Sequence, residues 1–180
     1  MTPNLVLVGL PGCGKSTLGR LVASRCRRRF IDTDAEVERR AGRPVAEIWA
    51  AEGEPAFREW EARVVASIVP WEGAVVATGG GVLLREDNRR RLREGGFVVW
   101  LRVPLAVLER RTARSAARPL LTGGDRLDVL RALEAQREPL YREAADVVLD
   151  LADAHPSVNA AAIAALWEEA TAHAPRLAGG

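Results

Sequence analysis

The chain has 180 residues, 48% hydrophobic and 28% charged, which suits one globular domain with a sizeable core. A net charge of +2 gives no support by itself to a nucleic-acid partner. No apolar run approaches the roughly eighteen residues of a membrane span, and two cysteines fit a reducing cytoplasm better than a disulfide framework.

The apolar run Leu5 to Val8 predicts a buried strand that begins at once, leaving no room for a signal peptide. A turn holding Gly9, Gly12 and Gly14 follows, and a helix from Thr17 to about Cys26 ends in the basic run Arg25 to Arg29. Phe30-Ile31 reads as a short strand before Asp32-Thr33-Asp34. Helical spacing then covers about 35–41, 45–51 and 55–69, with breaks at Gly42-Arg43-Pro44 and at Gly53. Ala74 to Ala77 is a strand ending in Thr78-Gly79-Gly80-Gly81. A helix over about 84–93, a strand from Phe97 to Leu101 and a helix from Pro104 to about Thr112 come next. Residues 113–124 lack periodicity and read as a loop. A helix over about 127–145, bent near Pro139, leads to the strand Val147 to Leu149 and a last helix over about 156–172. The tail 173–180 looks frayed. Alternating apolar strands and helices predict a single α/β domain with a parallel sheet covered on both faces, and ligands at the carboxyl ends of its strands.

The most specific stretch is Gly9-Leu10-Pro11-Gly12-Cys13-Gly14-Lys15-Ser16-Thr17. Strand, Gly-x-x-x-x-Gly-Lys-Ser, then helix is the phosphate-binding loop in its confirming context. Glycines let successive backbone N–H groups point into one concavity, and the helix N-terminus adds unpaired donors. Lys15 carries a mobile charge to the β- and γ-phosphates, and the Ser16 hydroxyl suits Mg²⁺. Lys15 is also the only lysine; every other one of the 26 basic residues is arginine. A compact ammonium is therefore kept here and nowhere else.

Further candidates follow predicted strands. Asp32 and Asp34 suit Mg²⁺ binding through water and proton acceptance from a hydroxyl; taken alone, Asp34 would read as a helix cap. The phosphate loop favours the metal reading, with Asp32 as candidate. Gly79, Gly80 and Gly81 either let an anion approach the backbone or form a flexible turn. Arg58 shares a helix face with Glu61, and Arg137 lies on the long helix, but spacing alone selects neither among so many arginines. Arg118, in the loop, is either an ordinary exposed arginine or one that closes over phosphates.

Together, the phosphate loop, Asp32-Thr33-Asp34, Gly53-Glu54-x-x-Phe57-Arg58-x-x-Glu61, Thr78-Gly79-Gly80-Gly81, Arg118-Pro119-Leu120-Leu121 and Arg137-x-x-Leu140-Tyr141 resemble the shikimate kinase family, in order and spacing, from residue 4 to about 150. The resemblance implies ATP-dependent phosphorylation of the shikimate 3-hydroxyl, on a five-stranded parallel sheet of the nucleoside monophosphate kinase type. It implies a substrate-binding segment at about 33–61 and a lid at about 113–124. Asp34 would contact the reacting hydroxyl. Arg58 and Arg137 would hold the substrate carboxylate, with the triple glycine beside it. Asp32 would lie near Mg²⁺ on Ser16, and Gly12, Cys13, Gly14, Lys15, Ser16 and Thr17 would hold the ATP phosphates. Arg118 would be the lid arginine, and Arg111 and His155 would border the adenine. The expected partners are shikimate and ATP, with no nucleic acid, no membrane and no second copy, in the cytoplasm. Cys13, beside a helix N-terminus, is expected to be a reactive thiol that ATP protects. Gluconate or a nucleoside monophosphate is the alternative acceptor. A guanine-binding Asn-Lys-x-Asp signature cannot exist in a chain with one lysine.

Overall fold

The computed structural model describes residues 2–113, 125–151 and 154–173. Every residue of β1 (Asn4–Val8) is buried, as a strand covered on both faces requires. It pairs in parallel with β3 (Val75–Ala77) on one side and β4 (Gly96–Arg102) on the other, Leu5 in register with Val75 and Phe97. Outside these lie β2 (Phe30–Asp32) and β5 (Val147–Asp150). The strand order is β2-β3-β1-β4-β5, all parallel. This is the α/β architecture that the alternating pattern predicts, with the strand number that the resemblance implied.

Helices cover both faces. α1 (Lys15–Cys26) and α7 (Pro156–His173) pack together, α1 against β3 and α7 against β4. A second group comprises α3 (Val45–Ile68), α4 (Glu86–Gly95) and α6 (Arg126–Ala144), with α4 and α6 against β4. α2 (Thr33–Ala41) packs on α3, and α5 (Leu105–Thr112) on α6. The break expected at Gly53 is real. Its φ of 79° and ψ of 176° interrupt α3, in a region glycine enters without a Cβ penalty. Pro55 then begins the second segment, where its missing N–H costs little.

Three boundaries differ from the sequence pattern. α1 begins at Lys15 and not at Thr17. α2 begins at Thr33, because Asp32 caps it, accepting from the amides of Asp34 and Ala35 at 3.1 and 3.4 Å. The capping side chain is thus Asp32, and Asp34 is free for other work. The stretch expected to be helical from 84 is a single 3-10 turn (Val82–Leu84), an extended Arg85 and then α4. α6 continues through Pro139 as one helix. The expected loop beyond Ala113 and the tail from 174 lie outside the described residues.

The basic run after α1 has an internal use. The guanidiniums of Arg28 and Arg29 lie 6.0 Å from the ring centre of Trp167 and 3.8 Å from that of Trp71, covering apolar surface as cation–π partners. Among the described residues no helix is long and apolar enough to cross a membrane.

Candidate active site

The loops after β1, β2 and β3 meet where the chain order in the sheet reverses, which is where parallel α/β sheets open a crevice. A cleft of about 420 Å³ lies there, and its walls include Lys15, Ser16, Asp34, Arg58, Gly79 and Arg111.

The phosphate loop needs its glycines for two reasons. Gly12 and Gly14 have φ of 87° and 99°, values that side chains resist. At Gly9, a Cβ would stand 2.7 Å from the Leu101 carbonyl oxygen. Gly14 caps α1 without any side-chain bond, and no acidic residue occupies the first turn. The first amides of α1 are thus presented to an anion together with the helix dipole. Lys15 is buried, its Nζ donating to the carbonyls of Gly9 and Leu10 at 2.7 and 3.0 Å. Those contacts hold the ammonium beside the loop.

Two acids, two residues apart, have different surroundings. Asp32 accepts the Ser16 hydroxyl on Oδ2 at 2.6 Å while Oδ1 caps α2. Asp34 lies deeper. Burial, and secondarily the charge of Asp32, push its carboxyl up to about 6, against the opposing pull of Lys15 and Arg58. Its Oδ1 is buried and has no hydrogen-bond partner. A buried carboxyl oxygen without a partner is costly, and a hydroxyl donor would satisfy it.

Arg58 and Arg137 are set apart by burial: among the described residues no other arginine is buried. Arg58 is 8% exposed and is gripped from its own helix. Nε and Nη2 donate to Glu54 Oε1 at 3.1 and 2.8 Å, and Nη1 donates to Glu61 Oε2 at 3.0 Å. A guanidinium has five N–H groups. Three are taken, so one hydrogen on each terminal nitrogen remains for a further acceptor such as a carboxylate. Arg137, 2% exposed, has both Nε and Nη1 without a partner. The spacing of Glu54 and Glu61 from Arg58, four before and three after, was visible in the sequence, yet only burial gives the pairs weight.

The triple glycine abuts these charges. A Cβ on Gly79 would stand 2.6 Å from Asp34 Oδ1 and 2.7 Å from Glu61 Oε1. On Gly80 it would stand 3.1 Å from Arg137 Nη1, and on Gly81 it would run into Arg58 Nη2. None of the three has a positive φ. They are glycines because four charged groups need the space, and not because the turn is strained. The Gly79 amide is moreover donated to Thr33 Oγ1 at 2.8 Å. Gly79 therefore serves the site through its missing side chain. Tyr141 supports Gly80 by donating its hydroxyl to the Gly80 carbonyl at 2.7 Å. Thr33 and Tyr141 stood in the quoted motifs without a role of their own, and the cleft-lining Trp49 is a site neighbour that no sequence signal had singled out.

The family model for shikimate kinase matches residues 11–168. The chain belongs to the shikimate kinase family. A shikimate kinase of Symbiobacterium thermophilum is 52% identical over 80% of this chain and 84% of that protein. One from Chromohalobacter salexigens is 48% identical over 82% of each. The solved structure of the Acinetobacter baumannii shikimate kinase in complex with shikimate superposes with a TM-score of 0.91, at 36% identity over 94% of this chain and 95% of that one.

The other residues expected from the shikimate kinase resemblance fall out unevenly. Gly12, Gly14, Thr17 and Arg111 line the cleft with those above. Arg118 lies outside the described residues. His155 is not among the residues that line the cleft; it is exposed, and its Nδ1 pairs with Ser157 Oγ at 2.7 Å at the start of α7. Cys13 overturns the expected reactive thiol. It is only 1% exposed and packs in the core, with Sγ turned toward Gly9 and 3.5 Å from Lys15 Nζ. Native alkylation followed by mass spectrometry should label the partly exposed Cys26, and Cys13 only after denaturant is added. Labelling of Cys13 in the folded protein would restore the reactive-thiol reading.

The residues present fit Mg²⁺. Ser16 and Asp32 place a hydroxyl and a carboxylate oxygen within 2.6 Å of each other at the mouth of the phosphate loop. Among the described residues no cluster of three acids, histidines or cysteines could cage a metal. That suits an ion held by one or two protein oxygens, phosphates and water.

Proposed function

We propose that this chain transfers the γ-phosphoryl group of ATP to the 3-hydroxyl of shikimate. The observation that carries the reading is one cleft that joins a phosphate loop without a side-chain cap to a buried arginine with two N–H groups left for a further acceptor, with Asp34 beside both. One end suits a polyphosphate and the other a carboxylate, so the acceptor is an acid bearing a hydroxyl.

In this reading the loop amides from Gly12 to Thr17 bind the phosphates. Lys15 exchanges its carbonyl partners for phosphate oxygens and follows the charge as it shifts. Ser16 and, through water, Asp32 would hold Mg²⁺, which supplies charge neutralisation at the phosphates. Arg58 and Arg137 fix the shikimate carboxylate, and the ring is thereby oriented with its 3-hydroxyl toward Asp34, which accepts the proton. Arg118 is assigned to neutralising the transferring group, and Arg111 to the border of the adenine. The enzyme works as a monomer in the cytoplasm, without nucleic acid.

The test is ADP release with Mg-ATP and shikimate, gluconate, AMP or no acceptor. Stimulation by shikimate alone is expected. Stimulation by gluconate or AMP instead would keep the kinase fold and remove the carboxylate assignment, and acceptor-independent turnover would make the chain an ATPase. Within this reading Arg58→Lys is expected to raise the shikimate KM about 10- to 100-fold, because a compact ammonium lacks the planar fork that grips a carboxylate while staying paired to Glu54 and Glu61. Steady-state kinetics that leave KM within about twofold would take Arg58 out of the carboxylate site.

A further inference from the structure

Glu61 belongs to the carboxylate end of the cleft, yet phosphoryl transfer itself gives it no task. It is fully buried at 0% exposure. One oxygen accepts from Arg58, while the other, Oε1, has no hydrogen-bond partner. That free oxygen and the free Oδ1 of Asp34 converge on Gly79, 2.7 and 2.6 Å from the point its Cβ would occupy. Two unpaired carboxyl oxygens aimed at one glycine cannot both carry charge cheaply in a buried space.

The charged surroundings of Glu61 come from three elements. Arg58 lies beside it on α3, itself shared with Glu54. Asp34 faces it from α2, and Arg137 from α6 with Tyr141 nearby. Lys15 of α1 pulls on Asp34 in turn. The two guanidiniums are therefore the positive charges that favour an ionised Glu61, and they are the same two that receive the substrate carboxylate. A ligand anion there competes directly with Glu61 for them.

We propose that Glu61 is a positioning residue that takes a proton from solvent as the substrate carboxylate settles on Arg58 and Arg137, so that shikimate and one proton bind together. This rests on the shikimate reading of the cleft. The balance is simple: one carboxylate enters, one proton joins the Glu61 carboxylate, and the net charge of the buried cluster is unchanged. The neutral acid still accepts from Arg58 through its carbonyl oxygen, and its new proton sits on the oxygen that had no partner. Burial already holds the Glu61 carboxyl at about 7 without substrate, against the pull of Arg58 and with a further push from Asp34. An added anion pushes it the same way. A purely structural Glu61, ionised throughout as a tether for Arg58, would exchange no proton.

The experiment is calorimetric titration of the full chain with shikimate, in phosphate and in Tris, between pH 6 and 9. Above pH 7 the apparent enthalpy should depend on the buffer with a slope approaching one proton taken up per shikimate. The Kd should rise there by up to about tenfold per pH unit. Glu61→Gln keeps the shape and one acceptor for Arg58 but holds no exchangeable proton. It should bind with a slope near zero and a Kd flat across that range. Shikimate binding to the wild type with zero slope overturns the proposal, and so does an undiminished slope in Glu61→Gln. A zero wild-type slope overturns the proposal even if the variant fails to fold. Absence of any shikimate binding overturns the substrate reading itself, and the proposal with it.

Discussion

Asp34→Asn is expected to lower kcat by about 10²- to 10⁴-fold, with a much smaller change in shikimate affinity. The amide keeps the size of the side chain and can hydrogen-bond a hydroxyl, but it cannot take the proton. The same substitution should stabilise the substrate-free protein at pH 8. The Asp34 carboxyl is raised from 3.8 to about 6 in the fold, so it contributes to stability below about pH 4 and loses that contribution as pH rises to 6. Above that, an ionised, buried and partly unpaired carboxylate opposes folding, and asparagine removes the charge. Melting temperatures of wild type and variant should therefore converge near pH 4 and separate at pH 8 in the variant's favour. Such a trade is common where a site is built around a charge that only the substrate satisfies. A kcat within about tenfold of wild type would remove Asp34 as the proton acceptor.

Gly79→Ala is expected to lower kcat/KM for shikimate by about 10²-fold, the scale on which displacement of a catalytic group by an ångström acts. The added methyl would stand 2.6 and 2.7 Å from the Asp34 and Glu61 oxygens, so both carboxyls must move. Overpacking should also cost about 1–3 kcal/mol of stability. The neighbouring glycines separate this from a general effect of the turn. Gly80→Ala meets Arg137 Nη1 at 3.1 Å and Pro11 at 3.2 Å, distances that a small shift relieves. Its loss should be the smallest of the three. Gly81→Ala collides with Arg58, which Glu54 and Glu61 hold in place, so its effect should fall mainly on the shikimate KM. Equal losses in all three variants would point to backbone strain and against the crowding account.

Some of this was legible from local pattern alone. Apolar strands entering glycine turns, helix spacing, the break at Gly53 and the lone lysine all involve interactions within a turn or two of chain, where φ preference and period are set by adjacent residues. The motif order likewise carried the family. Other features were decided only by packing. The sequence offered arginines in number, and burial reduced the described candidates to Arg58 and Arg137. It offered two aspartates, and the start of α2 made Asp32 the cap, leaving Asp34 unpaired. Cys13 could face the cleft or the core, and it faces the core. Three glycines read as a turn until Asp34, Glu61, Arg137 and Arg58 were seen against them. The contacts at the three glycines join residues about twenty to sixty positions apart, and neither spacing nor propensity extends that far. Distance and desolvation between them exist only once the sheet has set the order of its strands.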